Sequence, residues 1–168
     1  SGGRYLGRSA SNAGDINGDG ISDFIISGLT SEIYVFFGYE GPWPVRFDPS
    51  DLNGDNGFRI VGVPEDIKLV WVSVSSAGDV NGDNIDDFIV ALVMIESGHS
   101  FCEAYVIFGS KERWPAEFDI TNLNGNNGFM IARTYLDGGI FDGRIHFSMS
   151  GLGDFNGDGI DDFMVGAL

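Results

Sequence analysis

Apolar residues in this chain gather in short, dense runs separated by glycine-rich polar segments. The runs at 24–27, 33–37, 88–92 and 104–108 are apolar almost without interruption. Uninterrupted runs of strand length predict strands covered on both faces, because a half-exposed strand alternates apolar with polar. Weaker strand patterns lie at 7–13, 70–77 and 145–152, at 58–61 and 129–132, and at 163–166. No segment carries a 3.6-residue period bounded by caps, so no helix is predicted. The longest apolar run, 88–95, is far too short to span a bilayer as a helix.

These patterns recur. Trp43-Pro44-Val45-Arg46-Phe47-Asp48 answers to Trp114-Pro115-Ala116-Glu117-Phe118-Asp119, and Leu52-Asn53-Gly54-Asp55-Asn56-Gly57-Phe58 answers to Leu123-Asn124-Gly125-Asn126-Asn127-Gly128-Phe129. Tyr34-Val35-Phe36-Phe37-Gly38 likewise matches Tyr105-Val106-Ile107-Phe108-Gly109, every pair being 71 positions apart. A fixed period of this size marks a repeat architecture. The chain divides into units at 1–62, 63–133 and 134–168, the third holding only the first two strands of four.

Between the first and second strand of each unit lies an acidic loop. Asp15-Ile16-Asn17-Gly18-Asp19-Gly20-Ile21-Ser22-Asp23 returns as Asp79-Val80-Asn81-Gly82-Asp83-Asn84-Ile85-Asp86-Asp87 and as Asp154-Phe155-Asn156-Gly157-Asp158-Gly159-Ile160-Asp161-Asp162. Oxygen-bearing side chains at positions 1, 3, 5 and 9 suit a hard cation, above all Ca²⁺. Position 6 is Gly20, Asn84 or Gly159, residues that accept the left-handed backbone of a tight wrap. An EF-hand requires a Glu at position 12 and flanking helices; position 12 here is Ile26, Val90 or Val165. Without a cation the loop would be an acidic hairpin turn whose carboxylates repel.

Charge and composition narrow the partners. The formal charge is −16 and the sequence pI about 4.1, which disfavours nucleic acid and anionic membranes. Nine of the 25 acidic residues stand at odd positions of the three loops, so part of this charge has a local use. With 43% apolar residues, 26 glycines and 14 phenylalanines, the chain suits tight turns around an aromatic core rather than disorder. Cys102 is the single cysteine, so no internal disulfide can form.

Short four-stranded sheets, each covered by its neighbours, describe the blades of a β-propeller, with a sandwich as the runner-up. The run Ser76-Ala77-Gly78-Asp79-Val80-Asn81-Gly82-Asp83, an apolar strand, then Tyr105-Val106-x-Phe108-Gly109 resembles the FG-GAP repeat of integrin α-type propellers and microbial surface proteins. The "FG" is Phe37-Gly38 and Phe108-Gly109; the "GAP" element is degraded to Ser27-Gly28-Leu29, Ala91-Leu92-Val93 and Gly166-Ala167-Leu168. The Trp-Pro and Asn-Gly blocks are closer in flavour to the microbial members.

The resemblance implies an all-β chain of about two and a half antiparallel blades, completed by other chain segments or subunits. It also implies three Ca²⁺ sites. The first is Asp15, Asn17, Asp19, the Ile21 carbonyl and Asp23. The second is Asp79, Asn81, Asp83, the Ile85 carbonyl and Asp87. The third is Asp154, Asn156, Asp158, the Ile160 carbonyl and Asp162.

A meander puts the acidic loops and the Trp-Pro blocks at one end of each blade. The excess length of the second unit falls at the other end, around 96–101 and 135–144, where a protein or glycan ligand is expected. Trp43 and Trp114 either pin long loops or stack on a sugar or a neighbouring subunit. His99 and His146 have no partners at a repeated position, and no phosphate loop or zinc spacing occurs, so no enzyme is expected. The expected role is a non-catalytic, extracellular or cell-surface calcium-binding module for adhesion or surface structure. The alternatives are the protomer of an extracellular fibril, self-associating through open blade edges, and an accessory propeller beside a catalytic domain outside this chain.

Overall fold

The computed structural model describes residues 6–28, 32–63, 67–135 and 147–167. Among the described residues eleven strands form in order: β1 (Leu6–Gly14), β2 (Asp23–Gly28), β3 (Ile33–Phe36), β4 (Gly57–Val61), β5 (Lys68–Gly78), β6 (Asp87–Glu96), β7 (His99–Ile107), β8 (Glu117–Asp119), β9 (Gly128–Tyr135), β10 (Phe147–Gly153) and β11 (Asp162–Ala167). Two single-turn 3₁₀ helices, Pro49–Asp51 and Ile120–Asn122, are each capped by the preceding aspartate. Among the described residues there is no α-helix.

The strands make three sheets, ordered β1-β2-β3-β4-β8, β5-β6-β7-β9 and β10-β11. Within each unit the strands of the repeat pair antiparallel in chain order, β8 apart. The first strands lie side by side, β5 packing between β1 and β10. The sheets therefore stack, with the second as the middle layer. Its β6 shows why the apolar run is continuous: Phe88, Val90, Leu92 and Met94 join the core shared with the first sheet. Ile89 faces the other way, packing with Ala77 and Val106 against Met149 and Phe163 of the third sheet. Both faces of the strand are dry, so neither set of alternate positions can be polar.

Two features depart from the sequence reading. Residues 96–101 are not a variable loop. β6 and β7 continue until Glu96 opposes His99, and the turn is Ser97-Gly98 alone, both with positive φ (50° and 82°). That is the left-handed pair a two-residue hairpin requires, so the extra residues lengthen the sheet instead of a loop. Second, β8 was not foreseen. It belongs to the second unit yet pairs with β4 of the first, in parallel, matching Arg59 with Glu117, Ile60 with Phe118 and Val61 with Asp119. The stack is open: among the described residues no strand of the third sheet pairs with the first, and β11 pairs only with β10. Of the other expected variable segment, 136–144 lies outside the described residues, as does His146.

The second unit's Trp-Pro block is structural. Trp114 is buried and stacks on Phe58 of β4, with centroids 4.4 Å apart and planes 5° apart, while its indole N–H donates to the Ser110 carbonyl. Trp43, its counterpart, leans on Tyr39 and Phe24 and stays half exposed. The difference is position: Trp114 is wedged between two units, whereas among the described residues Trp43 meets rings of its own unit alone.

Candidate functional site

The three acidic loops adopt one backbone course. The position-6 residues have φ of 88° at Gly20, 64° at Asn84 and 91° at Gly159. In the first loop the Asp15 carboxylate accepts the Asp19 and Gly20 amides at 3.0 and 2.8 Å, and the Asn17 side-chain oxygen accepts the Asp19 amide as well, at 2.9 Å. The Ile21 amide donates to Asp19 Oδ1 at 2.8 Å. The second loop repeats this with Asp79, Asn81 and Asp83, and the third with Asp154, Asn156 and Asp158, all bonds falling between 2.7 and 3.0 Å. One N–H shared by positions 1 and 3 draws their oxygens toward a common point, and position 5 closes the wrap. The position-7 isoleucines differ in burial: Ile85 is buried, Ile21 partly so, and Ile160 is exposed.

The position-9 aspartates sit deeper. Asp23 is buried; its Oδ2 accepts the Ile16 amide at 3.0 Å and its Oδ1 the Gly38 amide at 2.8 Å. Asp87 does the same with Val80 and Gly109, at 3.0 and 2.8 Å. The glycine of each "FG" pair is thus tied to the acidic loop of its own unit. Asp162 accepts the Phe155 amide at 3.0 Å but is partly exposed. Burial pushes the Asp23 carboxyl up to about 7, against the pull of its two amide donors, and the charges of Asp19 and Asp15 push the same way. Asp87 is likewise pushed up to about 7 by burial, with Asp83 and Asp79 adding to it.

Nearby charge at positions 1 and 5, felt by a buried carboxyl at position 9, fits a cation-binding loop. The donors are all oxygen, which suits Ca²⁺ and not Zn²⁺. Each carboxylate oxygen that accepts one N–H keeps a second lone pair for a cation. Among the described residues no group of three or more His, Cys, Asp or Glu side chains could hold a metal by itself. The loops would depend on the Asn amides and the position-7 carbonyls as much as on the carboxylates.

A pH dependence follows for the calcium-free protein. A carboxyl whose folded pKa is about 7 binds a proton in the folded state that the unfolded chain, titrating near 3.8, has released. The stability from Asp23 and Asp87 is fully present below the unfolded value and is lost as pH rises through about 7. Melting temperature in calcium-free buffer should therefore fall between pH 5 and pH 8. Replacing both residues by Asn should flatten that fall, and an unchanged slope would refute the assignment.

Sequence reasoning missed the residue at position 8. Asp86 Oδ2 accepts the Asp15 amide at 2.7 Å and the Asp86 amide donates to the Asp15 carbonyl at 3.2 Å. Asp161 treats Asp79 identically, at 3.0 and 2.9 Å. The first and second loops are therefore each clamped at position 1 by the next unit's loop, which brings the candidate sites into one connected row. The visible signal was the glycine ahead of each position 1. A Cβ on Gly14 would stand 2.3 Å from Asp86 Oδ2, and one on Gly78 2.1 Å from Asp161 Oδ2.

His99 stands exposed at the β6–β7 turn opposite Glu96, remote in the fold from the acidic loops. Among the described residues no helix is long and apolar enough to cross a membrane. Compared with known proteins, the chain matches no family model, no curated protein and no solved structure.

Proposed function

We propose that the chain is a calcium-binding β-propeller repeat module of the FG-GAP kind, non-catalytic and displayed outside the cell or on its surface, where it serves adhesion or surface structure. The observation that carries this reading is the threefold recurrence of one loop geometry with oxygen donors at positions 1, 3, 5, 7 and 9. Three Ca²⁺ ions would offset charge where it is densest. They would also rigidify the hairpins β1–β2, β5–β6 and β10–β11 at their shared end. The stacked sheets, with first strands adjacent and fourth strands outermost, fit the order of blades around a propeller axis.

In this role calcium is a fastener and carries no chemistry. Extracellular modules bind it with Kd on the order of 10⁻⁴–10⁻³ M. At 10 mM free calcium each site would then add about 1.4–2.7 kcal/mol. Melting in 10 mM calcium against chelator tests this: a rise of several degrees is expected, and coincident curves would count against the reading. The open sheet edges favour a second reading, in which the chain is part of a longer assembly built by strand addition.

A further inference from the structure

Two surfaces 71 positions apart have the same sequence character but different surroundings. On the first unit, Gly54, Phe58 and Ile60 are buried; on the second, Gly125, Phe129 and Ile131 are exposed, Phe129 by 38% and Ile131 by 40%. What covers the first is known in atomic detail. Trp114 stacks on Phe58, and its backbone carbonyl would stand 2.1 Å from a Cβ on Gly54. Phe118 packs against Phe58, with centroids 6.0 Å apart. The Arg59 amide donates to the Ala116 carbonyl at 2.9 Å, which opens the parallel pairing of β4 with β8.

Among the described residues none of this covering is present on the second unit. A Cβ on Gly125 would meet nothing within 4 Å, and Met130 beside Phe129 is 47% exposed. β9 is the edge strand of its sheet, and β11, which runs in the neighbouring sheet, has an open edge of its own. In the second unit β7 pairs with β6, and a short link then leads to Trp114, which seals β4. A single segment of that kind would serve both open features at once.

We propose that the face formed by Phe129 and Ile131 is a docking site for an extended segment of Tyr-Val-x-Phe-Gly…Trp-Pro-x-x-Phe-Asp chemistry. Its strand pairs with β11, its tryptophan stacks on Phe129, and its Phe-Asp end runs parallel to β9. The occupant is such a segment and not a second intact copy. A whole first unit placed there would bring its own first two strands onto β10 and β11, which already pack against β5. The inference rests on the repeat contacts and stands whether or not the loops bind calcium.

The test uses the 168-residue chain and a labelled synthetic peptide of its own residues 104–122, read by fluorescence anisotropy. Saturable binding is expected, weakened at least tenfold by Trp114→Ala in the peptide and at least tenfold by Phe129→Ala in the protein. Because Phe129 is already partly exposed, the variant should fold, which its circular dichroism would confirm; Ile131→Asp, at a second exposed apolar position of the same face, provides a second disruption. Absence of binding, or binding that ignores both protein substitutions, would overturn the proposal. So would a concentration-dependent dimer of intact chains that Trp43→Ala and Phe129→Ala each abolish.

Discussion

Replacing Phe58 by alanine should destabilise the protein by about 3–5 kcal/mol, whereas the same change at Phe129 should cost about 1 kcal/mol. The two residues occupy equal places in the repeat, so the contrast isolates packing from local sequence. Phe58 is fully buried and touches aromatic rings from three directions: Trp114 stacked at 4.4 Å, Phe37 edge-on at 5.9 Å and Phe118 at 6.0 Å. Phe88 of the second sheet lies 6.4 Å away. Truncation would open a cavity at the seam between two units, where Trp114 and β8 are held by the first unit. Neither wall can collapse inward without breaking the β4–β8 pairing, which places the cost toward the upper end for a buried aromatic. The melting temperature should drop on the order of 10 °C. Denaturant melts of the two variants, run together, would decide; equal losses would mean that the Trp-Pro block adds nothing to the seam.

Gly109→Ala is the second large effect, and it links the fold to the candidate site. The Gly109 amide holds the buried Asp87 carboxylate at 2.8 Å. A Cβ at this residue would stand 2.3 Å from the Asp86 carbonyl, 2.5 Å from Ile85 Cγ2 and 3.0 Å from the Ile16 carbonyl. Two of those three obstacles are backbone, one from each of two neighbouring loops. The chain must move, and what moves is the acidic loop itself. Overpacking of this kind costs about 1–3 kcal/mol. The shift should also weaken calcium binding at the second loop, since it displaces the residue-109 amide that holds Asp87. Gly38→Ala meets a similar obstacle at the Ser22 carbonyl, 2.5 Å away, but none from a neighbouring unit, so its effect should be smaller and confined to the first loop. Calcium affinity and denaturant midpoint measured on both variants would test this, and an unaltered affinity in Gly109→Ala would break the link between the "FG" glycine and the loop.

The strands were legible because burial on both faces leaves a mark in sequence that solvent exposure does not dilute: Phe88 to Ile95 has no polar position to misread. The loop wraps were legible because left-handed positions restrict residue choice, as Asn84 and its glycine counterparts show. What escaped was contact between units. β8 has only three residues, two of them acidic, and its partner lies 58 positions earlier. No local pattern encodes such a pairing. Asp86 and Asp161 read as neighbours of ligands because their bonds run to the loop of another unit. The Glu96–His99 hairpin was mistaken for a loop because polar residues at the far end of a sheet still pair when the turn chemistry is right.

Taken together, the row of acidic loops is a seam of its own, parallel to the aromatic one. Each loop is closed by its own amides, the first two are anchored by a buried position-9 aspartate, and the second and third are each clamped to the loop before them. Equilibrium dialysis of the calcium-free chain against calcium tests the reading of these loops most directly. Three saturable sites per chain are predicted, falling by one for each of Asp19→Ala, Asp83→Ala and Asp158→Ala. No saturable binding, or a stoichiometry unmoved by the three substitutions, would contradict it.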